Sequence, residues 1–192
     1  MARLEYYIGH CLATPPGLKV RKEMLMSWHM APKDLYKGKV KYLRQVYNSR
    51  ADLPNDKIDG VSIKHLHGNG WDRLGYSVVF HRNGEKEIVT PFDDNNTVES
   101  DEMTWGCMGY NTGSRHFALE GGFKALRNDD FFKHFTDEQY LAVQMWLKTE
   151  LYKHPQVLVG GHNDFTEEKE CPGFRMYELM TEFGMGKYAY KR

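Results

Sequence analysis

The sequence has little cysteine and no excess of charge of either sign, and both absences narrow the possible functions. Three cysteines occur among 192 residues. So small and odd a number fits reduced thiols or a metal ligand better than the disulfide framework of a secreted protein. Lys plus Arg and Asp plus Glu number 26 each, so the overall charge favours neither nucleic acid nor an anionic membrane as a partner.

Long apolar runs are missing as well. No segment approaches the roughly 20 apolar residues that span a bilayer, and Glu5 interrupts the one apolar stretch near the amino terminus, unlike a signal peptide. We therefore expect synthesis in the cytoplasm without a leader and without membrane insertion. The 41% hydrophobic content of 192 residues is enough for one domain with its own core.

Strand signals and helix signals alternate along the chain, which is typical of the α/β class. Strands are predicted at residues 4–8, 75–81, 87–90, 114–120 and 157–159. Helices are predicted around residues 20–29, from Thr136 to just before Pro155 behind a capping box, and at 174–183. The predicted fold is a single domain of residues 1–192 with a central mixed β-sheet flanked by helices. A basic, tyrosine-bearing segment at about 33–70 is predicted to be an insertion.

Borderline metal ligands occur at the ends of two predicted strands. His162 follows the apolar run 157–159, and Cys171 comes nearby, before a Pro-Gly turn. Imidazole nitrogen and thiolate suit zinc, which needs more protein ligands than these two. His10 follows the first predicted strand as His162 follows the later one. If both strands lie in one sheet, the three side chains meet at one edge and leave a fourth position open, as in catalytic zinc sites.

Each candidate also has an ordinary structural interpretation. A cysteine considered alone is more often a buried thiol, and a histidine alone is more often a polar loop residue. The pair His65 and His67 stands near a glycine-rich turn and is interpreted as loop. Asn111 is a candidate substrate-binding residue, and its alternative role is to shape a turn.

A series of short motifs runs through most of the chain. They are His10-Cys11-Leu12-Ala13-Thr14, Trp28-His29, Gly70-Trp71, Gly75-Tyr76, Gly109-Tyr110-Asn111, Gly160-Gly161-His162-Asn163-Asp164 and Lys169-Glu170-Cys171-Pro172-Gly173-Phe174. In order and spacing the sequence resembles the zinc N-acetylmuramoyl-L-alanine amidases of the phage-lysozyme type, which are related to peptidoglycan recognition proteins. The resemblance implies that the whole domain has the fold of these amidases and peptidoglycan recognition proteins.

The resemblance also implies roles for individual residues. It implies that His10, His162 and Cys171 hold Zn²⁺, and that Tyr76 and Lys169 assist catalysis. The implied reaction is hydrolysis of the amide bond between N-acetylmuramic acid and L-alanine by zinc-activated water. The partner would be peptidoglycan, bound in a groove above the metal. The implied setting is a phage endolysin, made in the infected host and acting on the cell wall after release, and we expect a monomer.

The chain also departs from the family pattern. Ser77 stands where many relatives have histidine, and Gly106 or Cys107 stands where another histidine is common. Glu120 would share a strand face with Ala118, where some relatives carry a glutamate base, but we do not assign it that role. Asp164 is expected to orient its loop by accepting backbone hydrogen bonds.

Two other functions compete with the amidase. A non-catalytic peptidoglycan-binding module is one, although relatives that bind without cutting are those lacking the cysteine ligand, and Cys171 is present here. A phage regulatory protein that inhibits a partner such as RNA polymerase is the other, and only analogy to phage lysozymes favours it.

Overall fold

The structure is a computed structural model that describes residues 1–30, 57–58, 61–62 and 69–191. The chain divides into two compact units, one made of Met1–Lys19 and Gly75–Arg192 and the other of Val20–Leu74. Most of the predicted insertion at about 33–70, including His65 and His67, lies outside the described residues.

Short strands, four α-helices and three short 3₁₀ helices (Asn111–Gly113, Phe131–Lys133 and Gly186–Tyr188) make up the regular structure of the described residues. The strands are β1 (Ala2–Arg3), β2 (Tyr6–Cys11), β3 (Lys57–Ile58), β4 (Val61–Ser62), β5 (Val78–Phe80), β6 (Lys86–Ile88), β7 (Thr97–Val98), β8 (Ser114–Leu119) and β9 (Leu158–Gly161). The helices are α1 (Lys22–Met30), α2 (Asp137–Lys153), α3 (His162–Phe165) and α4 (Met176–Glu182). None of these helices has the length and hydropathy needed to span a membrane.

A five-stranded mixed sheet is the centre of the larger unit. Its strand order is β6-β5-β8-β2-β9, and every neighbouring pair is parallel except β5 with β6. The antiparallel pair corresponds to the predicted strands 75–81 and 87–90 and forms a hairpin whose turn contains Asn83 and Gly84, where Gly84 has a φ of 79°. Strands β1 and β7 form a separate antiparallel pair. The prediction of a central mixed sheet flanked by helices is confirmed.

The sheet has an apolar face and a face that carries histidines, because successive strand residues point to opposite sides. Tyr7 and Phe117 are fully buried on the first face. The indole of Trp146 in α2 packs there, with ring centroids 5.3 Å from Tyr7 and 5.2 Å from Phe117. The opposite face carries His10 of β2 and His116 of β8, since His10 pairs with Ala118, two residues beyond His116.

The structure corrects the predicted first strand. It was expected at residues 4–8 with His10 behind it, but β2 runs from Tyr6 to Cys11 and contains His10. Parallel pairing with β8 continues to the register of Cys11 with Leu119, so the ladder extends beyond the apolar residues that signalled it. The later strand and the three predicted helices are present with boundaries shifted by a few residues.

The smaller unit contains α1 and the antiparallel pair β3 and β4. Residues that follow the undescribed segment contact the end of this helix. The backbone N–H of Asn69 donates to the carbonyl of Trp28, and that of Trp71 donates to the carbonyl of His29, both at 2.9 Å. The Trp71 ring stacks on the His29 ring with a centroid distance of 5.1 Å. Burial lowers the pKa of His29 to about 4, so its ring is neutral at pH 7.

Helix α2 begins with the predicted capping box. The Thr136 hydroxyl accepts from the backbone N–H of Gln139 at 3.2 Å, and the Gln139 side chain accepts from the backbone N–H of Thr136 at the same distance. The Thr136 hydroxyl also donates to the carbonyl of Arg82 at 2.7 Å, which connects the helix start to the hairpin. One hydroxyl therefore satisfies a helix terminus and a loop carbonyl together.

We predict that Thr136→Ala lowers the free energy of unfolding by about 1 to 2 kcal/mol, because the cap and the Arg82 contact are both lost. The matched control is Thr149→Ala on the exposed side of the same helix, which should change stability by no more than about 0.5 kcal/mol. Chemical denaturation of both variants measures the difference. Equal effects at the two sites would contradict the prediction.

Candidate metal centre

Two parallel neighbouring strands bring the first two candidate ligands together. His10 is the second-last residue of β2, and His162 is the first residue of α3, directly after β9. Gly9 pairs with Gly161 in register, so the carboxyl ends of the two strands lie side by side. The ring centroids of His10 and His162 are 4.8 Å apart. Carboxyl ends of parallel strands are where α/β folds place their sites.

Cys171 joins these histidines from the loop that follows α3. Its Sγ is 3.6 Å from His10 Nδ1, and candidate donor atoms of His10, His162 and Cys171 all lie within 4.8 Å of one another. Zinc–nitrogen and zinc–sulfur bond lengths put the ligands of a tetrahedral site about 3.3 to 3.8 Å apart. The three donors therefore fit one ion after small side-chain rotations. This is the one such cluster among the residues the structure describes.

A buried asparagine fixes the loop that carries Cys171. The backbone N–H of Asn163 donates to the Cys171 carbonyl at 2.8 Å. Its side-chain amide donates to the carbonyls of Glu170 and Phe174 at 3.3 and 3.2 Å. Asp164 accepts from the backbone N–H of Gly161 at 2.7 Å, which confirms its expected orienting role. The sequence placed Asn163 in a motif but did not assign this function, because its partners lie in another turn.

Cys11 is a second cysteine at the site, and sequence reasoning gave it no role. Its backbone N–H donates to Cys171 Sγ at 3.2 Å, a contact that favours a thiolate. Its thiol has the opposite effect, since the hydrogen bond between the two thiols and burial raise the pKa of Cys171. The positive charge of Lys169 opposes this rise. Without a metal, Cys171 therefore carries its proton at pH 7.

His162, the second candidate histidine ligand, is neutral at pH 7. Burial, with a smaller contribution from the positive charge of Lys169, lowers the pKa of His162 to about 4. Its lone pair is then available to a cation over the whole physiological range. Neutral imidazole is the form that binds metals.

Tyr76 lies beside the ligands. Its ring centroid is 5.2 Å from that of His10. Burial raises the pKa of Tyr76 well above its usual range, and the nearby Cys171 and Cys11 add to the rise. The hydroxyl is therefore protonated at every physiological pH and is a permanent hydrogen-bond donor. The carbonyl of Tyr76 accepts from Thr90 Oγ1 at 2.9 Å, which fixes the backbone next to β5.

Lys169 is exposed, and its backbone is held in place on both sides. Its N–H donates to the carbonyl of Thr166 at 3.1 Å, and its carbonyl accepts from Arg127 Nη2 at 2.8 Å. Arg127 also donates to the carbonyl of Glu167, and its backbone N–H donates to Glu170 Oε2 at 2.6 Å. Arg127 was not singled out in the sequence. It fixes the loop from a position about 40 residues earlier in the chain.

Two other candidate residues make local structural contacts. Asn111 Oδ1 accepts from the backbone N–H of Cys107 at 2.8 Å, so the side chain shapes the turn, and its role in substrate binding stays a prediction. The Glu120 carboxylate accepts from the backbone N–H of Arg82 at 3.0 Å and lies 3.4 Å from His81 Nδ1. This contact raises the pKa of His81 and gives Glu120 a structural function there.

No protein-family model matches the chain, and no curated protein matches it. Solved structures do. The Ph2119 endolysin from the Thermus scotoductus bacteriophage superposes with a TM-score of 0.57 and 14% identity, covering 96% of this chain and 86% of the endolysin. The chain shares its fold with this endolysin. The N-acetylmuramoyl-L-alanine amidase LysC from Clostridium intestinale gives a TM-score of 0.51 at 14% identity, with 95% and 87% covered.

A third solved structure comes from an animal. Drosophila PGRP-LB has a TM-score of 0.53 and 15% identity, and the match covers 100% of this chain and 88% of PGRP-LB. Identities this low establish the fold alone. They confirm the predicted fold class, a single α/β domain in which helices flank a central mixed sheet, as in the endolysin and PGRP-LB. The assignment of residues 33–70 as an insertion in this domain stays a prediction.

The protonation states of His162 and Cys171 predict that zinc binding releases a proton. At pH 7, His162 is already neutral because its pKa is lowered to about 4, whereas Cys171 is a thiol because its pKa is raised. Binding as a thiolate should release about one proton at pH 7, and zinc affinity should fall about tenfold per pH unit below 7.

Calorimetric titration of metal-free protein with zinc, in buffers of different ionisation enthalpy, counts this proton. Cys171→Ser should remove it, since a serine hydroxyl does not ionise near neutral pH. Zinc binding with no proton release would show that Cys171 is already a thiolate, contrary to the prediction.

Proposed function

We propose that the chain is a zinc-dependent N-acetylmuramoyl-L-alanine amidase that hydrolyses peptidoglycan. The observation that carries the proposal is the meeting of His10, His162 and Cys171 within 4.8 Å. Two imidazoles and a thiol form a donor set that suits zinc, and three protein ligands leave one coordination position for water. The named amidase LysC and the Ph2119 endolysin share the fold, which supports this choice of reaction.

Zinc, when bound by His10, His162 and Cys171, supplies a Lewis acid that lowers the pKa of water towards about 7 and polarises an amide carbonyl. The Tyr76 hydroxyl, protonated and beside His10, donates a hydrogen bond to the oxyanion that forms as the amide carbon becomes tetrahedral. The ammonium of Lys169 stabilises the same developing charge. Its field already reaches the site, since it affects the pKa of both His162 and Cys171.

The biological setting follows from the same proposal. The substrate is the lactyl amide of a muramyl peptide, and the protein acts on the bacterial cell wall as a phage endolysin after release from the host cell. All proposed ligands and assisting residues come from one chain, so a monomer suffices for activity.

The first test is the release of free L-alanine amino termini from purified cell walls. Wild-type protein loaded with zinc should release them, and Cys171→Ser should lower the rate at least about 1,000-fold because a metal ligand is lost. Cys107→Ser is the matched control. Cys107 is buried, and its Sγ lies 3.8 Å from Thr166 Oγ1 rather than among the ligands.

The control should retain both zinc and activity. Tight binding to cell walls with no release by the zinc-loaded wild type would overturn the amidase proposal and favour a peptidoglycan-binding module.

Tyr76 provides a second test, because its proposed contact forms only as charge develops. Tyr76→Phe should lower kcat about 100- to 1,000-fold and leave KM and zinc affinity within about threefold of wild type. Steady-state kinetics with a soluble muramyl peptide, together with zinc titration, separate these quantities. A variant that loses zinc would assign Tyr76 to metal binding, and unchanged kcat would remove it from the mechanism.

A further inference from the structure

His116 is a buried histidine that the proposed reaction does not use. It lies in the middle of β8 with no exposed surface, on the sheet face that carries His10. Its Nδ1 is 3.0 Å from His10 Nε2, which is hydrogen-bond distance, and the two ring centroids are 5.2 Å apart. A polar ring in such a position requires an explanation, because burial of an imidazole costs free energy unless its nitrogens are satisfied.

The two nitrogens of His10 face different partners. Nε2 faces His116 Nδ1 at 3.0 Å, whereas Nδ1 faces Cys171 Sγ at 3.6 Å. A metal shared with Cys171 must therefore bind Nδ1. That nitrogen then has no proton, and the single proton of the neutral ring lies on Nε2. In this tautomer the Nε2–H of His10 points at His116.

We propose that His116 is a positioning residue for the metal ligand His10. His116 Nδ1 accepts the hydrogen bond from His10 Nε2–H, which fixes both the tautomer and the ring orientation that present the Nδ1 lone pair to the metal. This inference rests on the proposed metal centre. Metal-ligating histidines generally donate their second N–H to such a partner, most often a carboxylate or a carbonyl. Here a second imidazole takes that place.

Gly106 provides the space that the His116 ring occupies. A Cβ at position 106 would lie 2.4 Å from His116 Nδ1 and 2.7 Å from its Cγ. Atoms cannot approach this closely, so any other residue at 106 would displace the nitrogen that faces His10. The backbone carbonyl of Gly75, also 2.7 Å from that Cβ, closes the other side. Glycine at 106 and histidine at 116 therefore determine the contact together.

The contact with His10 leaves the other ring nitrogen of His116 without a partner among the described residues, which lowers the stability of the fold. If Nδ1 accepts from His10, the proton of His116 is on Nε2, and that atom is buried with no hydrogen-bond partner among the described residues. An unsatisfied buried donor destabilises a fold, because it has lost its hydrogen bonds to water. With this donor unpaired, His116 adds less to the stability of the metal-free fold than a fully paired histidine would. Its removal should therefore weaken metal binding without weakening the metal-free fold.

The experiment measures zinc affinity of the full chain by competition with a chelator. His116→Leu removes the acceptor and should weaken zinc binding about 10- to 100-fold. His116→Asn keeps an acceptor oxygen close to the place of Nδ1 and should stay within about threefold of wild type. The thermal midpoint of metal-free His116→Leu should equal or exceed that of wild type, because this change removes the unpaired buried donor.

His154→Leu is the matched control. His154 is a buried histidine whose Nδ1 contacts Asn96 Oδ1 at 2.6 Å and whose Nε2 has no partner among the described residues. This variant should leave zinc affinity unchanged. Gly106→Ala disturbs the same contact while both histidines stay in the sequence, because its Cβ would displace the His116 ring. It should reproduce the loss of zinc affinity seen with His116→Leu.

Nitrogen NMR of ring-labelled histidine gives a signature that a structural role would not produce. In the zinc-loaded wild type, the Nε2–H of His10 should exchange slowly with water, and in His116→Leu it should exchange fast. Unchanged zinc affinity in both His116→Leu and Gly106→Ala would overturn the inference. Equal losses of zinc affinity in His116→Asn and His116→Leu would also overturn it.

The outcomes separate this inference from the proposed function. Zinc that binds more weakly to His116→Leu, in a wild type that releases no L-alanine termini, would support the positioning role and overturn the amidase. A wild type that releases L-alanine termini, together with full zinc affinity in His116→Leu, would support the amidase and overturn the positioning role. A wild type that binds no zinc would overturn both.

Discussion

The parallel pairing of β2 with β8 and β9 is the constraint on which the candidate site depends. It places the carboxyl ends of three strands side by side and determines which side chains of β2 face the site. A shift of one residue would turn His10 to the apolar face. Close packing opposes such a shift, because a Cβ at Gly9 would lie 2.4 Å from Met176 Cε and 2.9 Å from Phe117 Cζ. The apolar core thus fixes the register that the polar face needs.

Burial keeps the metal-free site almost without charge. It holds His162 neutral and raises the pKa of Tyr76. Together with the hydrogen bond that the Cys171 thiol donates to Cys11, it also raises the pKa of Cys171 and keeps it a thiol. Lys169 is the exposed cation beside this group. Ionisation of Cys171 becomes favourable only when a positive ion compensates it, so binding of a dication and formation of the thiolate are coupled. The same low polarity strengthens any hydrogen bond from Tyr76 to a developing oxyanion.

The parts of the fold that the sequence predicted are those determined by local signals. The capping box at Thr136 depends on neighbours within a few residues, and the predicted strands at 75–81 and 87–90 pair across a short turn. The cluster of His10, His162 and Cys171 was predicted because motif order and strand ends both pointed to it. The limits of β2 were wrong because they depend on how far β8 continues to pair with it.

The site residues that the sequence did not predict act through distant partners. Arg127 fixes the Lys169 loop, Asn163 contacts three carbonyls of the Cys171 loop, and His116 contacts His10 across two strands, 106 residues away in the chain. No periodicity or short motif predicts such contacts, because each contact forms only in the complete fold. Their residue types are also common outside functional sites.

Gly106 departs from the amidase pattern, and the His116 ring occupies the space beside it. In the family that the sequence resembles, a histidine is common at 106 or 107, whereas this chain has glycine and cysteine there. The His116 ring fills the space that a side chain at 106 would need, so the two are mutually exclusive. A histidine introduced at 106 alone would displace the ring that contacts His10. A residue at 116 that is smaller than histidine would leave a cavity beside His10, the proposed metal ligand. A side chain at 106 therefore fits only together with a smaller residue at 116.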